Sequence, residues 1–103
     1  MDAHKIILKN EIEYQADTVV SKQLIKAKAG NITLFAFSEG EGLSEHTAPF
    51  DAFISILDGT AKVFIDKNEH VLEAGESIIM PKNIPHSLQA EKKFKMMLVM
   101  IRG

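Results

Sequence analysis

The sequence predicts an all-β fold, and three observations carry that prediction. Short apolar runs are broken by turn residues at close, regular spacing, the pattern of a β-sandwich or barrel. Within the runs, apolar and polar residues alternate: in "TAKVFID", Ala61, Val63 and Ile65 share one face, and Lys62, Phe64 and Asp66 the other. No stretch sustains a helical apolar stripe. The nearest, "EIEYQADTVVSKQL", is spoiled as a helix by Thr18, Val19 and Val20, whose side chains branch at Cβ.

The elements follow in order. "VVSKQLIKAK" (Val19 to Lys28) reads as a strand, "AGN" turns it, and "ITLFAFS" (Ile32 to Ser38) returns. "EGEG" (Glu39 to Gly42) reads as a flexible loop. "DAFISIL" is a strand running into Asp58-Gly59, a pair that signals a two-residue hairpin. "TAKVFID" leads to a turn at "KNE", and "HVLEA" to Gly75. "SIIMP" is a short buried strand stopped by Pro81, "KNIP" a loop, and "HSLQAE" the start of another strand. In "FKMMLVMIR" (Phe94 to Arg102), leucine and methionine favour helix by propensity. Its neighbours and its alternation favour a strand that is apolar on both faces. The whole is expected to be one domain over residues 1–103, with an N-terminal arm and strands in 1–38 and a last strand in 93–102.

Composition narrows the function classes. Twelve basic and fourteen acidic side chains give a formal charge of −2, interspersed along 103 residues. Nucleic acid and anionic membrane are therefore not expected partners. The chain has no cysteine, which excludes disulfides, thiol catalysis and cysteine-based zinc sites. No apolar run suits a signal peptide or a membrane span, so a cytoplasmic protein is expected.

The candidate chemistry lies with two histidines, His46 and His86, each following a loop. If the chain runs extended past His46, the same face carries Ala48, Phe50 and Ala52, none of which can bind a metal. Asp51 follows Pro49 closely and could turn inward to complete a His-His-Asp set of the kind that holds non-haem iron. Otherwise the histidines are polar groups at a pocket mouth, bonded to loop backbone. Met80, Met96, Met97 and Met100 could line an adaptable apolar pocket or simply fill the core. Ser44, Ser77 and Ser87 lie in no nucleophile motif, and His4 and His70 read as surface residues.

Two stretches, 40–59 and 75–90, resemble the paired motifs of the cupin superfamily, small jelly-roll β-barrels. In the first, Gly40, His46 and Gly59 stand at the family's spacing; in the second, Gly75, Pro81 and His86 do. The resemblance implies a single-domain cupin-type jelly-roll β-barrel. It also implies a four-ligand metal site of three histidines and a glutamate, of which only His46 and His86 carry over. The second histidine falls on Ala48 and the glutamate on Ala52, while the second motif's glycine and asparagine fall on Asn83 and Ala90. The two alanines turn a polar cage into an apolar cavity walled by two imidazoles.

The expected ligand pocket therefore comprises His46, His86, Ala48, Ala52, Ile54, Met80 and Met96. His46 and His86, with Asp51 in addition, are the metal candidates, for zinc, iron, manganese or nickel held weakly. Three functions follow: a barrel binding a small, partly apolar molecule; a metal-dependent isomerase or dioxygenase; or a metal-free enzyme in which an imidazole moves a proton. The alanines favour the first. The resemblance further implies a homodimer in which apolar surface on Val19 to Leu24 and Phe94 to Ile101 is covered.

Overall fold

The structure, a computed structural model, describes residues 3–102 and is built almost wholly of strands. Met1, Asp2 and Gly103 of the expected domain lie outside the described residues. A 3₁₀ turn, Leu8–Asn10, is followed by β1 (Val19–Ala27), β2 (Gly30–Phe37), β3 (Gly42–His46), β4 (Asp51–Ile65), β5 (Asn68–Glu73), β6 (Ser77–Met80), β7 (His86–Gln89) and β8 (Phe94–Ile101). All ladders are antiparallel. One sheet runs β1-β2-β8-β4-β6 and the other β5-β4-β7-β3, so the long β4 belongs to both and curls them into a β-barrel. Among the described residues no helix is long and apolar enough to cross a membrane.

The expected hairpin at Asp58-Gly59 is not one. β4 passes straight through it, and the pair marks a bulge between Ile56 and Asp58 in the ladder with β8. Gly59 lies at φ +77°, and a Cβ there would run into the Lys93 carbonyl. The same left-handed preference that makes Asp-Gly a turn signal here kinks one strand, so that its first half pairs with β8 and β6 and its second with β5 and β7. The true hairpin comes at Asp66-Lys67, one residue ahead of the expected "KNE" turn and sharing Lys67 with it. Both residues have positive φ, and Ile65 opposite Asn68 closes a two-residue loop.

β8 settles the ambiguous C-terminal run as a strand at the centre of its sheet, between β2 and β4. Its inward residues Phe94 and Met96 join Phe37, Ile54, Ile56, Val63 and Leu88 in the main core. Phe37 stacks on Phe94 with ring centroids 4.6 Å apart. Its outward residues meet the N-terminal segment: Met97 packs on Leu34, Ala36 and Ile12, so it belongs to this second cluster and not to the barrel interior. That segment also explains two polar groups. Buried Lys95 donates from Nζ to the Lys9 carbonyl at 2.7 Å, and the Tyr14 hydroxyl donates to Asp58 Oδ2 at 2.6 Å. Burial first, then the hydrogen bond to Asp58 and its charge, hold the Tyr14 phenol far above its ordinary range.

Candidate functional site

β3 and β7 lie side by side in the second sheet, and His46 stands directly opposite His86 in their register. A register shift between Leu43 and His46 produces this pairing. Gly42 faces Gln89 and Leu43 faces Leu88; without an extra residue in β3, Glu45 would oppose His86. Cross-strand neighbours have touching side chains, so the imidazoles meet edge to face, with centroids 4.4 Å apart and planes at 69°. Their Nε2 atoms are 3.2 Å apart.

The other nitrogen of each ring is fixed by backbone. His46 Nδ1 lies 2.8 Å from the Ser44 carbonyl, and His86 Nδ1 lies 3.1 Å from the Ile84 carbonyl. A carbonyl oxygen only accepts, so both Nδ1 atoms carry the proton and donate. In the neutral rings both Nε2 atoms then carry lone pairs, 3.2 Å apart. They are stabilised together when a proton on one ring, or a hydrogen-bond donor or cation from a third group, satisfies them. His86 is buried and His46 is exposed at the rim. Burial, opposed by the bond to the Ile84 carbonyl and reinforced by the His46 charge, pushes the His86 imidazole below its usual value. The neutral, accepting form of His86 is therefore favoured at neutral pH.

The pair opens into a cavity of about 310 Å³ inside the barrel. All seven residues expected to line a pocket line this one: His46, Ala48, Ala52, Ile54, Met80, His86 and Met96. Leu43, Thr47, Pro49, Phe50, Leu88, Leu98 and Met100 complete the wall. Leu98 and Met100 follow from Met96 by strand parity. Leu43 and Thr47 do not: the bulge in β3 resets its parity, and Thr47 lies in the loop after it. Nor are residues 46–52 one extended strand: β3 ends at His46 and β4 begins at Asp51, with a loop between. A wider groove of about 570 Å³ runs outside along β3 and β7, crossed by the Lys62–Glu91 ion pair at 2.5 Å. It is shallow and solvated, whereas the barrel cavity is sheltered and holds both imidazoles.

Asp51 does not join the pair. Its side chain is exposed, its carboxylate accepts the Lys82 backbone N–H at 2.9 Å, and it borders a hollow on the outer face of the first sheet. The cavity offers a metal two imidazole nitrogens, from His46 and His86, and Ala48 and Ala52 contribute no donor. Among the described residues no cluster of three or more His, Cys, Asp or Glu side chains converges as a metal site. This donor set falls short of the three protein ligands that a resident catalytic metal ordinarily takes.

The Cupin domain family model matches residues 33–102, from β2 to the end of β8. The chain belongs to the cupin family. A conserved protein of unknown function from Streptococcus pyogenes is 32% identical over all of this chain and 90% of its own, with a TM-score of 0.93. A cupin 2 conserved barrel domain protein from Leptotrichia buccalis is 38% identical over 92% of this cupin and 46% of its own chain, with a TM-score of 0.89. Salicylate 1,2-dioxygenase from Pseudoaminobacter salicylatoxidans is 16% identical over 91% of this cupin and 28% of its own chain, with a TM-score of 0.76, a likeness of fold alone. No curated protein matches this chain. Within the cupin frame, Asn83 takes the second motif's glycine position at φ +63°, a left-handed conformation that asparagine tolerates better than most residues.

Proposed function

We propose that this cupin binds a small, largely apolar molecule in the barrel and fixes its orientation through one hydrogen-bond donor held between His46 and His86. The observation that carries the reading is the pair of Nε2 atoms, 3.2 Å apart, at the mouth of an otherwise apolar cavity, on rings whose Nδ1 atoms face backbone carbonyls. An apolar wall supplies affinity without direction, and a few convergent polar groups supply direction. Here the polar groups accept, so the ligand's group donates: a phenolic or enolic hydroxyl, or an N–H. A cavity of about 310 Å³ is roughly twice the ~150 Å³ that encloses benzene, which suits a two-ring ligand. Met80, Met96 and Met100 give the wall the adaptability that thioethers bring.

Calorimetric titration with three matched probes tests this: 2-naphthol, its methyl ether and 2-naphthoate. At pH 7.5 the naphthol should bind at least tenfold more tightly than the ether or the carboxylate. That ratio follows from an unmade buried hydrogen bond costing about 1–3 kcal/mol. His46→Ala and His86→Ala should each erase the preference while leaving weak apolar binding. Equal affinity for all three probes, or a preference for the carboxylate, would sink the reading.

A further inference from the structure

The two Nε2 atoms, 3.2 Å apart, lie within hydrogen-bond reach of one another. Each ring keeps its Nδ1 proton against a backbone carbonyl, so each has one site for an incoming proton, at Nε2. A proton that arrives on one Nε2 therefore has a path to the other ring. The carbonyls of Ser44 and Ile84 meanwhile accept from the Nδ1–H groups and steady an imidazolium as it forms. The pair is asymmetric: His46 stands exposed at the rim, where it meets water, and His86 is buried. Among the described residues, no Asp, Glu, Lys or Arg side chain lines the cavity. An anion formed there has no fixed cation to hold it. A proton taken from one atom of a bound molecule must then be returned at another atom as the charge develops.

We propose that the pair catalyses keto–enol tautomerisation of an apolar ketone bound in the barrel, one imidazole meeting the α-carbon and the other the carbonyl oxygen. The activity rests on the binding reading above and extends it, from a ligand that already donates a hydroxyl to one that acquires it. The α-carbon and the carbonyl oxygen are two bonds apart, a separation that nitrogens 3.2 Å apart straddle. His86 Nε2 takes the proton from the α-carbon. The C–H electron pair becomes the carbon–carbon double bond, and the carbonyl π pair moves to oxygen. The proton crosses to His46 Nε2, which delivers it to that oxygen. Both rings end neutral, nothing is oxidised or reduced, and no co-reactant is consumed. The acceleration comes from differential binding: the ketone offers the lone pairs only a C–H, whereas the forming enol offers an O–H donor. A neutral imidazole is a modest base, so the α-hydrogen must be acidified by a second group, an aryl ring or another carbonyl. An aryl ring also fits the apolar wall of Ile54, Leu88 and the methionines. A keto acid is a poor match, since its carboxylate would meet no cation.

Deuterium exchange into 2-tetralone, followed by proton NMR in deuterium oxide near neutral pH, tests the proposal. Its C1 hydrogens are acidified by both the ring and the carbonyl, and its C1 enol is a dihydro relative of 2-naphthol. The full chain should exchange C1 at least about a hundredfold faster than an equal concentration of free imidazole, the low end of the 10²–10⁴-fold that general acid–base catalysis contributes. Exposed His46 draws the deuterium from solvent. The pair stands at one wall, so only one of the two C1 hydrogens should exchange rapidly. 2-Naphthol should block exchange at the concentration that saturates its binding, and EDTA should leave the rate unchanged. His46→Gln and His86→Gln should each drop the rate to that of free imidazole. At the exposed position, His46→Gln should also keep the wild-type thermal melt, so its loss reports the relay and not the fold. A chain that binds 2-naphthol yet exchanges 2-tetralone no faster than imidazole overturns the activity and leaves the binding reading standing. Equal exchange of both C1 hydrogens, a rate abolished by EDTA, or a rate that survives His46→Gln also overturns it. A chain that does not bind 2-naphthol overturns the binding reading, and the activity with it.

Discussion

His86 is 5% exposed, and charging it means stripping water from an imidazolium that lies against a second imidazole. Burial is the first cause of its lowered titration, and the His46 charge adds to it. The sign for stability follows. The unfolded chain binds a proton on His86 more readily than the folded one, so stability is fully present above the ordinary imidazole value near 6.5 and is lost as pH falls below it. Urea unfolding between pH 8 and 5 should give a midpoint that declines below pH 6.5, and His86→Gln should flatten that decline. A midpoint that rises on acidification would mean the pair welcomes a shared proton. Single residues were also the most legible level of the sequence. His46, His86, Ala48 and Ala52 fall at fixed motif spacings, and all four line one cavity. Asp51 was not legible, because its carboxylate is taken by the Lys82 N–H, a contact between residues 31 apart in the chain.

At the scale of elements, two short pairs exchange the roles their residue types suggest. Asp58-Gly59 has the composition of a hairpin and is a kink within β4, while Asp66-Lys67, with less typical residues, forms the hairpin. The difference lies in what surrounds them. Gly59 sits beside the Lys93 backbone, where only a residue without Cβ fits, and β8 and β5 pair with β4 on either side of it. Long-range pairing thus overrides local turn preference, which a single strand's sequence does not record. Gly59→Ala should therefore destabilise by about 1–3 kcal/mol, the cost of left-handed strain, raised further by the clash with backbone. Thermal unfolding checks this; a change below about 0.5 kcal/mol, as at an ordinary surface position, would mean the kink does not need glycine. The β3 bulge is likewise invisible in the alternation of "GLSEH", yet it brings His46 rather than Glu45 against His86.

The whole molecule divides its apolar surface into three parts. The barrel interior is the core and cavity, the covered half of the outer face is sealed by the N-terminal segment, and Ile25, Phe53, Ile79 and Ile101 face outward. Alternation predicted the first, and the doubly apolar run Phe94 to Ile101 hinted at an outer apolar face; which part of that face is free depends on where the N-terminal segment lies. The proposed function rests on the interior, where the Nδ1 atoms of two histidines are held by backbone carbonyls and their Nε2 atoms lie at the cavity. The direct test is the ¹⁵N spectrum of the two imidazoles, with and without 2-naphthol, at pH 7.5. In the free protein both rings should show a protonated Nδ1 and an unprotonated Nε2, and the naphthol should shift both Nε2 signals toward those of hydrogen-bond acceptors. Nε2 atoms that already carry protons, or that respond to 2-naphthoate as strongly as to the naphthol, would contradict the account.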